Sequence, residues 1–449
     1  MLRNNLSMNY ELILTKHKFE YISEGLWLQV GTSSRIQGWK IHLSTIPTNA
    51  LQLFELILPF FQKSKLCFKI INSSENLFKL NEGFFGYTQI GKCITIYPKD
   101  DNEAKMISED LAKITKGQKG PEIITDLRLG DVVYARYGSF NPIIVTKSTG
   151  ERTKYIYIND RLVKDEYHIP YRLEKGVTIP FTKFTFPYPA TYSHNIIGPG
   201  YLLLEVIKSS PKGGILLTLD VRSHEHVELK VLKQARAHCT SDWYGRDGRY
   251  QLKNQELIHK ELESKLSIPK TDSYFDDNNC GYLPMEFIEG KTLQEKTEEL
   301  TCKQLWFHVN KDKKKELLNY LIKICENLMR LHNQKYIHRD LSPSNILINQ
   351  HGEVYFIDFE FAYKVDSQIP AYGFGTPGFI SPNQKEHGLP KFEDDIFSIV
   401  NLINYVMNYG NIDQSDEIDV LNNILSIQSK KTPSIQTIKE YLEIESTKL

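Results

Sequence analysis

The sequence has no excess of either charge and no paired cysteines. Lys plus Arg and Asp plus Glu each total 55 of the 449 residues, so the chain is formally neutral. Overall charge therefore gives no reason to expect a nucleic acid or an anionic membrane as a partner. The six cysteines are scattered without a C-x-x-C pair, which argues against a zinc site and against a disulfide framework.

Long hydrophobic runs are also missing. The opening residues, MLRNNLSMNYELILTKHKFEY, lack the apolar stretch of a signal peptide. The longest apolar run, LQLFELILPFF, is too short and too interrupted to cross a bilayer. We therefore expect a cytoplasmic protein that spans no membrane.

The first part of the chain alternates strand-like and helical patterns. Short runs such as GLWLQV, WKIHLS, LCFKII and VVYARYG are typical of strands. Apolar residues at helical spacing predict helices at 49–63 and 102–116. In WKIHLS, Lys40 and His42 lie two residues apart, so a strand would turn both side chains to the same face.

A change of pattern near residue 190 predicts two domains, as the chain length also does. The segment IPFTKFTFPYPATYSHNIIGPG is rich in proline and glycine and indicates a linker. Strands come next, followed by long helices, as in a small sheet lobe joined to a helical lobe. We predict an α+β protein with domains at 1–190 and 195–449, the second divided into lobes at about 198–285 and 290–449.

The second domain contains the motifs of a phosphotransferase site in the right order. HRDLSPSN supplies Asp340 as a base for the substrate hydroxyl and Asn345 as a metal ligand, and FIDFE supplies Asp358 as the main metal ligand. Phosphoryl transfer needs little covalent chemistry but must gather and neutralise several negative charges, which these residue types can do. The pattern predicts a kinase that uses ATP or GTP with Mg²⁺.

Two lysines in HVELKVLKQARAH are candidates for the residue that contacts the nucleotide phosphates. A residue two positions earlier shares the lysine's face of a strand and would contact the adenine, so it should be apolar. That residue is Val231 for Lys233 but Glu228 for Lys230. We therefore predict that Lys233 is the phosphate lysine.

Other parts of the nucleotide site carry weaker signals. Glu256 in LKNQELIHKEL is the expected helix partner of the phosphate lysine, with Glu261 as the next choice. LPMEFIEGKTL is expected to be the hinge, where Glu286 and Phe287 offer backbone groups to the purine.

The expected phosphate-covering loop, SSPKGGILL, contains Gly213 and Gly214 instead of the usual three glycines. Asp395 in EDDIFSIV fits the buried aspartate that braces a catalytic loop. Ser342 stands where most protein kinases have a lysine, and Glu360 replaces the glycine of D-F-G. Because the base and both metal ligands are present, we expect an active enzyme and not a silent scaffold.

HRDLSPSN, DFE and GTPGFISP, with VLKQARAH upstream, resemble the kinase domain of class III and class IV lanthipeptide synthetases. In that family a phosphothreonine-lyase-like domain precedes a bilobal kinase, so the resemblance implies a phosphoserine/phosphothreonine lyase at residues 1–190. The implied substrate is a precursor peptide with leader and core. The implied activity is phosphorylation of Ser/Thr, then elimination to dehydroalanine or dehydrobutyrine. The family's cyclase domain is expected to be a separate protein or to have been removed.

The same resemblance assigns the lyase residues. It implies His42 as the acid, Lys69 in LCFKII as the base, and Lys40 as a phosphate ligand, with Arg128 and Arg136 completing the phosphate pocket. The chemistry agrees, because a lysine can act as a base only when burial and neighbouring cations lower its pKa. A histidine protonates near neutral pH, and arginine binds phosphate through two hydrogen bonds.

An alternative interpretation retains the kinase and makes residues 1–190 a phosphopeptide-binding module, which would use the same basic pocket without needing Lys69 or His42. Tyr97 and Asp126 are expected at most to support the catalytic residues.

Overall fold

A computed structural model describes most of the chain. The described residues are 8–146, 148–169, 171–186, 195–210, 212–223, 225–373, 375–408 and 433–449. Residues 187–194 of the predicted linker, including most of the predicted boundary at 190–195, lie outside them. The backbone forms two compact units. The first comprises Met1–Glu228, Leu232–Tyr250 and Phe275–Tyr282, and the second comprises Leu229–Val231, Gln251–Tyr274 and Leu283–Leu449.

An antiparallel seven-stranded sheet organises the start of the first unit, in the order β1-β2-β4-β5-β3-β7-β6. Its strands are β1 (Ile22–Glu24), β2 (Trp27–Val30), β3 (Gln37–Leu43), β4 (Phe68–Ile71), β5 (Ile94–Ile96), β6 (Leu127–Arg128) and β7 (Val133–Ser139). The associated helices are α1 (Glu11–Lys16), α2 (Ala50–Lys63), α3 (Ser74–Asn81) and α4 (Asp101–Ile114). The two helices predicted from apolar spacing are confirmed as α2 and α4.

The two faces of this sheet differ in polarity because side chains alternate along each strand. One face is apolar: Leu28, Ile41 and Ile70 are fully buried in the same core as Phe54 of α2 and Leu111 of α4. The other face carries the polar residues of the same strands. The helices pack on the apolar face, whereas the segment that contains Asp165 and Tyr167 packs against the polar face and buries His42 and Arg136.

The strands between the seven-stranded sheet and the later helices form two further sheets. A three-stranded sheet in the order β10-β9-β8 contains β8 (Ile143–Thr146), β9 (Arg152–Ile158) and β10 (Arg161–Lys164). A six-stranded sheet in the order β11-β12-β13-β14-β16-β15 contains β11 (Ile196–Ile197), β12 (Tyr201–Ser210), β13 (Gly213–Asp220), β14 (Glu228–Arg236), β15 (Phe275–Asp277) and β16 (Cys280–Glu286). Helix α5 (Gly248–Leu262) separates β14 from β15.

The second unit is mainly helical. Its later helices are α6 (Leu293–Thr301), α7 (Lys311–Asn333), α8 (Pro382–Lys385), α9 (Phe392–Met407) and α10 (Ile435–Thr447). Its short strands are β17 (Gly290–Thr292), β18 (Tyr336–Ile337), β19 (Ile346–Asn349), β20 (Val354–Phe356) and β21 (Tyr363–Lys364). Helix α7 packs against α9 and α10 through fully buried leucines and isoleucines. The predicted α+β class is confirmed. In the described part of the chain, no helix combines the length and hydropathy needed to cross a bilayer.

The burial of one sheet face predicts that alanine substitutions at two isoleucines change the free energy of unfolding by very different amounts. Ile41 on β3 is fully buried, whereas Ile22 on β1 is 67% exposed. Ile41→Ala should cost about 2–5 kcal/mol because it leaves a cavity in the core, and Ile22→Ala should change stability by less than about 0.5 kcal/mol. Hydrogen exchange of peptides covering β3 and β7 measures both effects. Equal loss of protection in the two variants would contradict the described core.

Candidate functional site

The register of the seven-stranded sheet aligns polar residues in one row on its polar face. Lys69 of β4 lies opposite Thr95 of β5, which lies opposite His42 of β3. His42 in turn lies opposite Tyr134 of β7. Residues directly opposite one another share a face, and neighbouring strands are about 4.8 Å apart. The backbones of Lys69 and His42 are therefore about 10 Å apart on the same face.

A second pair lies beside this row. Lys40 is opposite Arg136, two residues along each strand from His42 and Tyr134. Nη2 of Arg136 donates to Oδ1 of Asp165 at 2.5 Å and to the carbonyl oxygen of Glu166 at 2.8 Å. These contacts fix a buried guanidinium beside a lysine, so the positive charge is concentrated at one place.

A glycine makes room for this arrangement. A Cβ atom at Gly138, two residues after Arg136 on the same face, would lie 2.5 Å from Nη1 of Arg136 and 3.1 Å from Oδ1 of Asp165. Only a residue without a side chain leaves this space to the ion pair. The glycine of YARYG is therefore part of the site.

The Asp126 carboxylate contacts two buried basic side chains. Its Oδ2 lies 2.5 Å from Nδ1 of His42, and its Oδ1 lies 3.1 Å from Nζ of Lys92. Burial acts to raise the pKa of Asp126, but Lys92 and His42 outweigh it and hold that pKa below its usual value. Because an ionised carboxylate only accepts, Nδ1 of His42 carries the proton, and Nε2 is the ring atom left for another partner.

Burial shifts the pKa of the basic residues in this cluster. Burial, followed by the charge of Arg136, lowers the pKa of Lys40 to about 7. Burial, followed by nearby Lys154, lowers the pKa of Lys69 to about 8. For His42, burial outweighs the attraction of Asp126 and lowers the pKa to about 4. The cations thus lose their protons more easily than in water.

Sequence reasoning missed three residues of the cluster. Lys92 and Tyr167 lie outside the regular strands, and Asp165 follows β10, far along the chain from its partner. The Tyr167 ring lies beneath two cations, 4.1 Å from Cζ of Arg136 and 4.5 Å from Nζ of Lys92. GKC and KDEY contain no pattern that indicates these contacts, since each depends on a distant partner.

The structure brings together four of the five predicted lyase residues, and Arg128 is the exception. Arg128 lies opposite Tyr134, at the far end of the same row. Its Nε donates to the carbonyl oxygen of Gly130 at 3.0 Å, and its side chain lines a neighbouring cavity together with Tyr134. Lys69 lies 4.2 Å from the ring centre of Trp27. The Tyr97 ring packs edge-on against Phe140.

In the second unit, Asp395 holds the loop that contains HRD. The Asp395 carboxylate accepts hydrogen bonds of 2.8 Å from the backbone amides of both His338 and Arg339. It also contacts Nε2 of His332 at 2.9 Å. Arg339 has a positive φ of 66°, and the two amide bonds stabilise this strained turn.

Asp340 is positioned by its neighbours. Its Oδ1 accepts from the amide and the hydroxyl of Thr376, both at 2.7 Å, and its Oδ2 accepts from Nδ2 of Asn345 at 2.8 Å. Burial, followed by the charge of Asp358, raises the pKa of Asp340 to about 6. The carboxylate is ionised at neutral pH, with a proton affinity greater than that of a free aspartate.

The donor set near Asp340 suits Mg²⁺, the ion that protein kinases use. Because Nδ2 of Asn345 is bonded to Asp340, the amide oxygen of Asn345 is the group available to a metal. Asp358 adds a carboxylate whose charge acts on Asp340. Hard oxygen donors and two mutually repelling carboxylates are the environment that magnesium prefers.

The two positions that depart from usual kinases are buried. Ser342 is fully buried, with its hydroxyl 3.1 Å from that of Ser344. Glu360 is also buried, and its backbone amide donates to Oδ1 of Asp358 at 3.1 Å. Neither departure removes a contact of Asp340.

The candidate nucleotide residues lie in different surroundings. Lys233 is buried, whereas Lys230 is half-buried and its Nζ lies 3.7 Å from Asp272. Glu256 is ion-paired with Lys260 one turn further along α5. Glu261 is bound to Nζ of Lys364 at 2.7 Å and to the hydroxyl of Tyr336 at 2.7 Å.

Local contacts surround the two glycines of the predicted phosphate-covering loop and the residues of the predicted hinge. A Cβ at Gly213 would lie 1.8 Å from the carbonyl oxygen of Gln234, so strand packing requires a glycine there, whereas Gly214 has more room. At the predicted hinge, the amide of Glu286 donates to the carbonyl oxygen of Lys270 at 2.8 Å. Phe287, the next residue, is half-buried.

Comparison with known families gives two matches. Residues 14–187 match the family described as RamC, N-terminal domain, and residues 211–447 match the protein kinase domain. The chain belongs to the protein kinase family. The predicted resemblance to class III lanthipeptide synthetases, with an N-terminal domain ahead of the kinase, is confirmed at the level of these two domains.

Individual relatives agree with both matches. A protein named Probable SapB synthase from Streptomyces coelicolor is 27% identical over 358 residues, which cover 77% of this chain and 37% of the relative. Serine/threonine-protein kinase PrkC from Bacillus subtilis is 26% identical over 44% of this chain and 29% of the relative. Serine/threonine-protein kinase D from Synechocystis is 24% identical over 54% of this chain and 50% of the relative. The aligned regions thus span half or less of each relative.

The choice between the two lysines of β14 leads to a prediction. Lys233→Met should reduce nucleotide-dependent turnover much more than Lys230→Met, because Lys233 is buried on the face of β14 that also carries Val231, where the adenine is expected, whereas the half-buried Lys230 lies near Asp272. Initial rates of peptide phosphorylation by the two variants provide the measurement. The reverse ranking would show that Lys230, and not Lys233, contacts the nucleotide phosphates.

Proposed function

We propose that the chain is a bifunctional dehydratase. Its kinase domain phosphorylates Ser/Thr of a precursor peptide with ATP or GTP. Its N-terminal domain then eliminates phosphate to give dehydroalanine or dehydrobutyrine in lanthipeptide biosynthesis. The similarity to the relative named as a SapB synthase supports this peptide substrate class. The proposal includes domains at 1–190 and 195–449, a cytoplasmic location, and a cyclase supplied by another domain or protein.

One observation carries the lyase half: Lys69 and His42 lie in one row on the polar face of the sheet, beside the Lys40–Arg136 pair. A phosphate bound by this pair would place a phosphoserine between the lysine and the histidine. The α-proton and the phosphate ester oxygen are only a few bonds apart, so two groups on one face can act on both.

The chemistry then needs two proton transfers. Neutral Nζ of Lys69 takes the α-proton, the electron pair forms the Cα–Cβ double bond, and the Cβ–O bond breaks. His42 gives a proton from Nε2 to the departing phosphate oxygen. A pKa of about 8 for Lys69 leaves a useful fraction neutral at physiological pH, and Lys40 and Arg136 stabilise the charge on the leaving group.

With a pKa of about 4, the imidazole of His42 is neutral in the free site, whereas the reaction needs it protonated. Phosphate brings a charge of about −1.5 to −2. Placed beside Nε2, this charge favours the imidazolium, as a nearby opposite charge always does. Asp126 stabilises the same protonated form from the other side. Substrate binding would therefore charge the acid that the reaction needs.

The low pKa of His42 is also the observation that favours the second candidate, a Ser/Thr kinase with a non-catalytic phosphopeptide-binding module. A neutral histidine among cations can bind phosphate without donating a proton in a reaction. The two candidates differ in whether Lys69 and His42 are needed for chemistry or only for retention of the peptide.

For the kinase half, Asp340 accepts the proton of the substrate hydroxyl while Thr376 and Asn345 keep its carboxylate in place. Asn345 and Asp358 would hold Mg²⁺, which, when bound, neutralises charge on the nucleotide phosphates. A pKa of about 6 suits Asp340, because the residue is ionised before transfer yet holds a proton better than a free carboxylate.

The lyase variants separate the two candidate functions. Lys69→Ala or His42→Ala should convert peptide and nucleotide into a stable phosphopeptide, because losing an acid or base slows elimination about 10²–10⁴-fold while phosphoryl transfer continues. Mass spectrometry distinguishes a gain of phosphate from a loss of water. Lys79→Ala on α3 is the control, since this partly exposed lysine is ion-paired with Glu75, and it should give dehydrated peptide. Full dehydration by Lys69→Ala would falsify the lyase mechanism.

The kinase variant gives the complementary result. Asp358→Asn should abolish phosphorylation, since the metal loses its main charged ligand. The same variant should still eliminate phosphate from a peptide supplied already phosphorylated, because elimination needs no nucleotide. Both reactions are followed on one peptide by mass spectrometry. Dehydration of unphosphorylated peptide at the wild-type rate would show that Asp358 has been given the wrong role.

A further inference from the structure

A cavity of about 230 Å³ lies in the first compact unit, beside the end of the Lys69–His42 row, since Tyr134, which is directly opposite His42, lines it. One wall comes from residues 118–134 of the N-terminal domain. The other comes from residues 234–249, at the end of β14 and the start of α5, and from residues 278–282, at the start of β16 and the turn before it. Four cationic side chains line it against two acidic ones. The cations are Lys119, Arg128, Arg236 and Arg249, and the acids are Glu122 and Asp131.

The charged residues of the cavity differ in how they are paired. Nη2 of Arg249 lies 2.8 Å from Asp247, so this guanidinium is already neutralised. Within the described ranges, by contrast, neither Arg128 nor Arg236 has an ion-pair partner. Arg128 donates through Nε to a backbone carbonyl, and Arg236 lies 5.6 Å from the ring centre of Tyr87. Two guanidiniums, one from each wall, therefore form no direct ion pair with a described carboxylate.

Glu122 lies near both arginines without pairing with either. Burial raises the pKa of its carboxyl, although Arg128 and Arg236 act in the opposite direction. A carboxyl with a raised pKa takes up a proton readily, and the protonated form donates a hydrogen bond. It can therefore accompany a bound oxyanion instead of repelling it.

We propose that this cavity is a phosphate-binding site in addition to the Lys40–Arg136 pair, with Arg128 and Arg236 as its ligands. Guanidiniums converging from two walls suit a tetrahedral group whose oxygens point in several directions. The inference rests on the proposed function, which supplies two sources of this chemistry. One is the inorganic phosphate that elimination releases, and the other is a phosphorylated residue of the peptide waiting for elimination.

The site also gives a role to Arg128 that differs from its expected place beside Lys40. The arginine predicted to bind phosphate would still bind phosphate, but together with a residue of the kinase small lobe. Phosphate bound there would connect the two domains through the guanidiniums of both walls.

The test is calorimetric titration of the full chain with inorganic phosphate. The wild type should show two binding sites. Lys40→Gln should abolish one of them, the lyase pocket. Arg236→Gln should weaken the other roughly tenfold to hundredfold, the effect of losing a charge-assisted hydrogen bond. The exposed Arg161→Gln is the matched control and should leave both sites unchanged. Identical binding by Arg236→Gln and the wild type would overturn the proposal.

Combining the variants distinguishes failure of this site from failure of the proposed function. Binding that survives Lys40→Gln and is lost with Arg236→Gln supports the cavity whatever the N-terminal domain catalyses. Loss of all binding with Lys40→Gln alone contradicts it. Repeating the titration with a phosphoserine peptide, in the Lys69→Ala background that prevents its consumption, decides between the sources. Arg236-dependent binding of the peptide identifies a phosphorylated residue, and Arg236-dependent binding of free phosphate alone identifies the released product.

Glu122→Gln provides a second variant that does not remove a cation. At alkaline pH the wild-type carboxyl is ionised and repels the ligand, so Glu122→Gln should bind phosphate more tightly than the wild type. Unchanged or weaker binding would contradict the placement of phosphate between Arg128 and Arg236.

Discussion

Two buried carboxylates make the cationic face of the N-terminal sheet possible. Asp126 lies between His42 and Lys92, and Asp165 is bonded to Arg136. A charge removed from water costs several kcal/mol unless it is paired and hydrogen-bonded. The carboxylates offset this cost only in part, because the basic groups outnumber them. Burial, followed by the charge of Arg136, lowers the pKa of Lys40 even though Asp165 acts in the opposite direction. A phosphate dianion is the kind of ligand that would supply further negative charge.

The catalytic loop of the kinase domain has the opposite imbalance. Burial, followed by the charge of Asp358, raises the pKa of Asp340, so a cation bound beside these two carboxylates would be stabilised. Asp395 avoids the same penalty because two backbone amides and His332 satisfy it, and it can hold the loop without a metal. The N-terminal site therefore favours binding of an anion, and the site around Asp340 favours binding of a cation. These preferences match a phosphorylated substrate in the first site and a metal ion in the second.

Local sequence spacing explains why the kinase residues were predictable and much of the N-terminal site was not. HRDLSPSN places Asp340 and Asn345 within one loop, and the alternation of β3 puts Lys40 and His42 on one face. The contact between Lys92 and Asp126, by contrast, depends on how distant segments fold together, which residue spacing does not contain. Arg128 illustrates the limit: the family resemblance implied a phosphate ligand beside Lys40, whereas the pairing of β6 with β7 places Arg128 opposite Tyr134, and its side chain lines the neighbouring cavity.

The electrostatics of the N-terminal site also impose an order on the proposed reactions. With no phosphate bound, the pKa of His42 near 4 leaves the acid uncharged. An unmodified serine brings no charge to change this, and its hydroxyl is a poor leaving group. A phosphoserine brings both the leaving group and the negative charge that favours a protonated His42. The lyase would thus be completed by the product of the kinase, so phosphorylation must come first even when both active sites are open to the same peptide.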